Sequence, residues 1–182
     1  MRKFLSKLKR KLLQLLIEEP KSNRKEFIEG GGKIGEGCSI APDVFFGSEP
    51  YLITIGNNVR VSRGVKFATH DGGVWVLRKN GILEEADVFG QIVIGDNTNI
   101  GWNVIVLPGV TIGKNCVIGA GAVVTKDIPD NTVAAGVPAR VLETIEEYHA
   151  KVEKKCDLTK SMSNEEKKAY LEKKYGLAAS DK

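Results

Sequence analysis

From Ile94 onward an aliphatic residue falls at every sixth position. The blocks read IGDNTN, IGWNVI, VLPGVT, IGKNCV, IGAGAV and VTKDIP, led by Ile94, Ile100, Val106, Ile112, Ile118 and Val124. The fifth residue of each block is small or β-branched: Thr98, Val104, Val110, Cys116, Ala122 and Ile128. Gly follows the lead residue in four of the six blocks. The same pattern runs earlier as IGEGCS, IAPDVF and FGSEPY from Ile34, then as IGNNVR, VSRGVK and FATHDG from Ile55. Three extra residues lie between Phe46 and Ile55, and 21 between Phe67 and Ile94. Both insertions leave the six-residue phase intact on either side, which an accidental pattern would not survive.

A period of six suits a chain that runs a short strand, turns a corner and repeats. The lead residue is expected to point inward, where each buried aliphatic is worth roughly 1.5–3 kcal/mol relative to exposure. The fifth position is expected at a tight corner that demands a small side chain, with Gly, Asn and Asp supplying the corner conformations, some at positive φ. Stacked rungs pair their strands in parallel and bury a column that no single rung could bury alone. A sandwich would alternate with period two and turn every 8–12 residues; neither that nor helical periodicity is present. The expectation is an all-β parallel β-helix.

The ends read differently. Residues 1–19 place Phe4, Leu5, Leu8, Leu12, Leu15 and Leu16 on one side of an amphipathic helix. Six of the first eleven residues are Lys or Arg, so this helix can lie on an anionic membrane surface as a peripheral contact or cover an end of the coil. Residues 143–182 are charge-rich and predict a helical tail, with Ser163-Asn164-Glu165-Glu166 as a helix start. The organisation is therefore an N-terminal helical segment over 1–33, a repeat domain over 34–142 with an external loop at 71–91, and a C-terminal helical tail over 143–182.

Composition narrows the function classes. The net charge of +4, from 27 basic and 23 acidic residues, is too balanced for a nucleic-acid binder. Cys38, Cys116 and Cys156 form no C-x-x-C pair, which fits a reducing compartment and neither a disulfide framework nor a zinc site. No apolar run approaches the ~20 residues of a spanning helix, and Lys7, Lys9, Arg10 and Lys11 interrupt any signal-like region. The expected location is the cytoplasm, with peripheral membrane contact through residues 1–19 as the variant.

The run VIGAGAVVTKDIPDNTVAAGVPARV, Val117 to Val141, resembles the last coils of the hexapeptide-repeat acyltransferases. That family includes galactoside, maltose and serine acetyltransferases and many polysaccharide O-acetyltransferases. The resemblance covers about residues 34 to 142. It implies a left-handed coil, against the usual right-handed crossover, and a homotrimer with active sites in clefts between neighbouring coils. It also implies acetyl-coenzyme A as cosubstrate and no required metal.

Acetyl transfer from a thioester to a hydroxyl needs a base, an oxyanion donor and a grip on coenzyme A. Imidazole suits the base. Of the two histidines, His149 lies in the charged segment ETIEEYHAKVEKK, whereas His70 ends the run FATH where the long insertion begins. That is where the family carries its catalytic histidine. Asp71 is a candidate to orient the ring, but neighbouring side chains on an extended segment point apart, so a carboxylate or carbonyl from elsewhere is an equal candidate. For the cofactor, the resemblance assigns Gly119, Ala120 and Gly121 to the pantetheine arm and Thr125, Lys126 and Arg140 to the nucleotide end. Solvated surface charge is the alternative for Lys126 and Arg140. Trp102 stands where relatives often have a small residue whose backbone N–H faces the acetyl carbonyl; its N–H can still serve as the oxyanion donor, while its indole is a departure. In the loop 71–91, Trp75 can stack on a sugar face and Arg78, Glu84, Glu85 and Asp87 can bond hydroxyls; alternatively the loop packs on a neighbouring subunit. THDGGVWVLR resembles the corresponding loop of capsule and lipopolysaccharide O-acetyltransferases more than that of serine acetyltransferases.

The expected function is O-acetylation of a sugar or polysaccharide-precursor hydroxyl. The alternatives are an acetyltransferase for serine, an antibiotic or an amino sugar, and a non-catalytic β-helix scaffold.

Overall fold

The computed structural model describes residues 23–177. The expected helix over residues 1–19 lies outside the described residues. The chain divides into two compact units, one running to Tyr148 and the other from His149.

The first unit is a three-faced coil of short strands. One face is built from β1 (Lys33–Ile34), β3 (Ile53–Ile55), β6 (Ile92–Ile94) and β9 (Thr111–Ile112). A second contains β2 (Ser39–Ile40), β4 (Arg60–Val61), β7 (Asn99–Ile100), β10 (Val117–Ile118), β12 (Thr132–Ala135) and β13 (Arg140–Thr144). The third holds β5 (Lys66–Phe67), β8 (Ile105–Val106) and β11 (Val123–Val124). Every pairing is parallel except β12 with β13, where the chain turns back and closes the second face. Lead residues stack on lead residues: Ile55 on Ile94 on Ile112, Val61 on Ile100 on Ile118, and Phe67 on Val106 on Val124. Three six-residue blocks therefore make one coil, and both insertions are looped out without shifting the register.

The leads from Ile55 onward are buried, as expected. The fifth positions are not corners. Val44, Val59, Val65, Val104, Cys116 and Ala122 are as buried as the leads. The chain is extended from the fifth residue to the next lead, so side chains alternate in, out, in, and the fifth residue shares the core cross-section with the lead. That crowding is what keeps it small. The corner itself is made one residue earlier. Gly37, Asn58, Gly64, Asn97, Asn103, Gly109, Asn115 and Gly121, all fourth residues of their blocks, have positive φ, the left-handed conformation that Gly and Asn adopt most readily. Asn97 donates to Asn115 at 2.9 Å and Asn115 to Asn131 at 2.8 Å, forming a side-chain ladder up one corner. The buried Thr98 hydroxyl donates to the Gly113 carbonyl at 2.8 Å and accepts from the Cys116 N–H at 3.1 Å, so this polar core position is satisfied.

Helix α1 (Asn23–Glu29) places Phe27 over the open first coil, stacked on Phe46 at 4.2 Å, with Phe46 in turn stacked on Phe67 at 5.6 Å. Helix α2 (Val74–Lys79) lies in the long insertion, and α3 (Ile145–Glu153) follows β13. The second unit contains α4 (Asn164–Tyr175), begun by a reciprocal cap between Ser163 and Glu166 and ended by Gly176 at positive φ. Asp157 holds this helix through Tyr170 and Lys174. Among the described residues no helix is long and apolar enough to cross a membrane.

Candidate active site

His70 is the fourth residue of the block led by Phe67, on the edge where the third face turns into the first. Its backbone is clamped by the returning insertion. His70 pairs antiparallel with Phe89, the Asp71 N–H donates to the Val88 carbonyl at 2.9 Å, and the Gly90 N–H donates to the Thr69 carbonyl at 2.9 Å. The loop 71–91 is therefore closed at its neck, with His70 in the clamp and the Phe89 ring edge-on to the imidazole at 6.3 Å.

The imidazole is oriented by Glu49. Its Nδ1 lies 3.0 Å from Glu49 Oε2, and the buried Thr69 hydroxyl donates to the same oxygen at 2.5 Å. The Glu49 side chain is 15% exposed and that of His70 is 46% exposed, so the carboxylate sits behind the ring and the ring faces out. The Thr69 hydrogen bond first, and the His70 contact second, hold the Glu49 carboxyl below the ordinary carboxylate range. It is ionised at neutral pH and can only accept. The proton between the pair therefore sits on His70 Nδ1, which leaves Nε2 of the neutral ring with the lone pair a general base needs.

The ring opens onto a cleft of about 620 Å³ between the coil and the insertion, lined by Glu49, His70, Trp75, Arg78, Asp87 and Phe89 among others. The Trp75 side chain is exposed beside this cleft. Arg78 Nη1 donates to the Ala86 carbonyl at 2.6 Å and to Asp87 at 2.5 Å, which braces the loop where Arg78 lines the cleft. Glu84 lies at the exposed far turn of the loop, outside the cleft lining. Asp71 Oδ1 accepts the Gly73 N–H at 2.8 Å and so shapes the turn into α2; the carboxylate on the ring is Glu49. His149 is exposed on α3.

Glu49 escaped the sequence reading because it is 21 positions from His70, in the block that precedes the short insertion. The signal was nonetheless present. Phe46 and Phe67 lead blocks three apart, one full coil, and Glu49 and His70 are both fourth residues of those blocks.

The residues assigned to the cofactor fall on different edges. Trp102 is the third residue of its block, on the edge between the second and third faces, with its side chain 60% exposed. Gly119, Ala120 and Gly121 make the same corner one coil later, where the Gly121 N–H donates to the Trp102 carbonyl at 2.7 Å. A Cβ on Gly121 would meet nothing within 4 Å, so this backbone is open to an approaching ligand arm. Thr125 and Lys126 follow Val124 on the edge that also carries His70. Arg140 lies exposed in β13 opposite Ala135, its Nη1 donating to the Ala139 carbonyl at 2.8 Å. The structure thus brings Glu49, Thr69, His70, Trp75 and Arg78 together, and Trp102 together with Gly119–Gly121. The strands of the third face separate the two groups within one chain. Among the described residues no three His, Cys, Asp or Glu side chains gather to hold a metal ion.

Comparison with known proteins adds four findings. The sequence pattern described as the hexapeptide repeat of succinyl-transferase matches residues 91–126. The chain is 47% identical to protein CapG of Staphylococcus aureus, over 94% of this chain and 96% of that protein. It is 40% identical to a galactoside O-acetyltransferase of Escherichia coli, over 71% of this chain and 70% of that protein. Among solved structures, a galactoside acetyltransferase in complex with coenzyme A superposes with a TM-score of 0.54 at 34% identity, covering 74% of this chain and 75% of that one.

Proposed function

The chain belongs to the hexapeptide-repeat acetyltransferases, and on that premise we propose that it transfers the acetyl group of acetyl-coenzyme A to a sugar hydroxyl. The observation that carries the proposal is the Thr69–Glu49–His70 relay at the mouth of the cleft. It fixes the tautomer of His70 and presents Nε2 to a hydroxyl held between Trp75 and the coil. Nε2 takes the hydroxyl proton as the oxygen bonds to the thioester carbonyl carbon. The C–S bond then breaks, and the imidazolium returns the proton to the departing thiolate. The Glu49 carboxylate supports the imidazolium between those two transfers. Acetyl-coenzyme A fits the bare corner at Gly119–Gly121, the relative solved with coenzyme A supports that donor, and the Trp102 N–H is assigned to the oxyanion.

Because His70 and Trp102 occupy different edges of one coil, a site that uses both needs a second copy of the chain. This supports a homotrimer with sites between subunits, and the relatives support a left-handed coil. The acceptor class rests on the galactoside-acetylating relatives and on the exposed Trp75; a surface-polysaccharide precursor is the proposed context.

The test is thiol release from acetyl-coenzyme A, for wild type and His70→Ala, against neutral and charged sugars, amino sugars and serine. Sugar-dependent release that falls by ~10²–10⁴ in the variant is expected for loss of a general base. Release driven by serine or an amine, or an undiminished rate in His70→Ala, overturns the proposal.

A further inference from the structure

We infer that the acceptor is an anionic sugar, whose carboxylate or phosphate is held by Arg60 and Arg63 beside the Trp102 indole. The inference rests on the acetyltransfer reading above and names the class of its acceptor.

A second groove, of about 220 Å³, runs along the edge between the second and third faces, lined by Ser39, Arg60, Ser62, Arg63 and Trp102 with the backbone around them. Arg63 and Trp102 hold the third position of blocks one coil apart, and the Asn103 N–H donates to the Arg63 carbonyl at 3.0 Å, so they stack in one column at this corner. Ser39 and Arg60 are partners across β2 and β4 and face outward, since Ile40 and Val61 take the inward positions. Lys66 stands on the other side of the same corner, placing basic residues at 60, 63 and 66 around one turn of chain.

Among the described residues neither guanidinium makes an ion pair or a side-chain hydrogen bond, and no carboxylate lines the groove. Asp43, at the same corner one coil earlier, pairs with neither. Two unpaired guanidinium groups beside an exposed indole suit an anion carried on a ring: the forks match a carboxylate or phosphate, and the indole offers a face on which a sugar can lie. Position along the edge supplies the orientation. Gly119–Gly121 lie in one coil, Trp102 in the coil before it and Arg63 in the coil before that. A thioester carbonyl at Trp102, with its arm toward Gly121, leaves the Arg63 side for the acceptor, whose hydroxyl meets the His70 edge of a second copy of the chain.

The experiment is calorimetric titration of the full chain, saturated with coenzyme A, with glucuronic acid, glucose 1-phosphate and glucose. Wild type, Arg60→Gln/Arg63→Gln and His70→Ala are compared, with the oligomeric state of each checked by light scattering. At least one anion is expected to bind roughly tenfold or more tightly than glucose, the scale of one charged hydrogen bond. The double variant loses that advantage while keeping its coenzyme A affinity, and His70→Ala keeps the advantage. Preference between the two anions identifies carboxylate or phosphate as the source. Equal binding of all three sugars, no binding of either anion, loss of coenzyme A affinity in the double variant, or its dissociation into single chains each overturns the inference. Absence of thiol release with every acceptor would sink the acetyltransfer reading and leave this titration readable.

Discussion

In the proposed mechanism Glu49 is a positioning residue, and its removal separates that role from a merely structural one. In Glu49→Ala the His70 ring loses the carboxylate 3.0 Å from Nδ1, together with the preference for the tautomer that leaves Nε2 unprotonated. A hydrogen bond to a charged group is worth about 1.5–3 kcal/mol. With about 1.36 kcal/mol per factor of ten in rate, the expected loss is roughly 10- to 100-fold in kcat. KM for both substrates should stay within about twofold, because Glu49 acts through the ring and not on a bound ground state. Glu49→Gln keeps the shape and the Thr69 contact without the charge, and should fall between wild type and Ala. The assay is thiol release at saturating acetyl-coenzyme A, repeated in the His70→Ala background. There Glu49→Ala should cost less than about threefold, since a positioning residue has nothing left to position. Equal losses in both backgrounds, or a loss confined to KM, would refute the relay.

Three further outcomes follow from the packing. Because the Glu49 carboxyl is held below its ordinary range in the folded chain, its contribution to stability is present above that range and is lost as pH falls through the folded value; the melting temperatures of wild type and Glu49→Gln should converge on acidification, and a gap that widens would reverse the sign. Asn115 has φ of 55° and bonds both Asn97 and Asn131; Asn115→Ala should cost more than Asn115→Gly by about 1–2 kcal/mol in urea unfolding, the cost of a left-handed residue that carries Cβ. Ser163→Ala removes the hydroxyl that accepts the Glu166 N–H and leaves the Ser163 N–H donating to the Glu166 carboxylate; it should destabilise α4 by about 1 kcal/mol, seen as faster amide exchange over 164–175 with the coil unaffected.

Much of the fold was legible because the six-residue phase is a packing constraint repeated in every rung. Each lead from Ile55 to Val124 points into one shared column, so the sequence must keep an aliphatic there or leave a void. Where the reading slipped, at the fifth position, the residue type was right and the cause was misplaced: Val104 and Cys116 are small because they share the core cross-section with Ile100 and Ile112, not because the chain bends there. The bend sits at Asn97, Asn103 and Asn115, whose identity already signalled positive φ. The start of α4 was legible for a different reason, since a reciprocal cap is a local device completed within four residues.

Of the Glu49–His70 pair at the candidate site, one member was legible, and the missing one shows what kind of information a repeat carries. His70 stands out because imidazole is rare in this chain and a long loop begins beside it. Glu49 has no such mark, and its role arises only from stacking one coil on another. The two interruptions of the period are not independent events. One follows Phe46 and the other follows Phe67, and those leads lie one above the other at the start of the third face. Both insertions therefore leave from the same edge, one coil apart, and Glu49 and His70 stand at their roots. An edge that must carry side chains for chemistry cannot use the Gly or Asn of a regular corner, and neither Glu49 nor His70 has the positive φ found at most other fourth positions. On the proposed mechanism, relaxing the corner and looping out the chain are two consequences of one demand, that an acid and an imidazole meet outside the core on a rigid prism. In a repeat protein of this kind, breaks in the period that align after division by the coil length point to the working edge, even when the residues concerned are far apart in sequence.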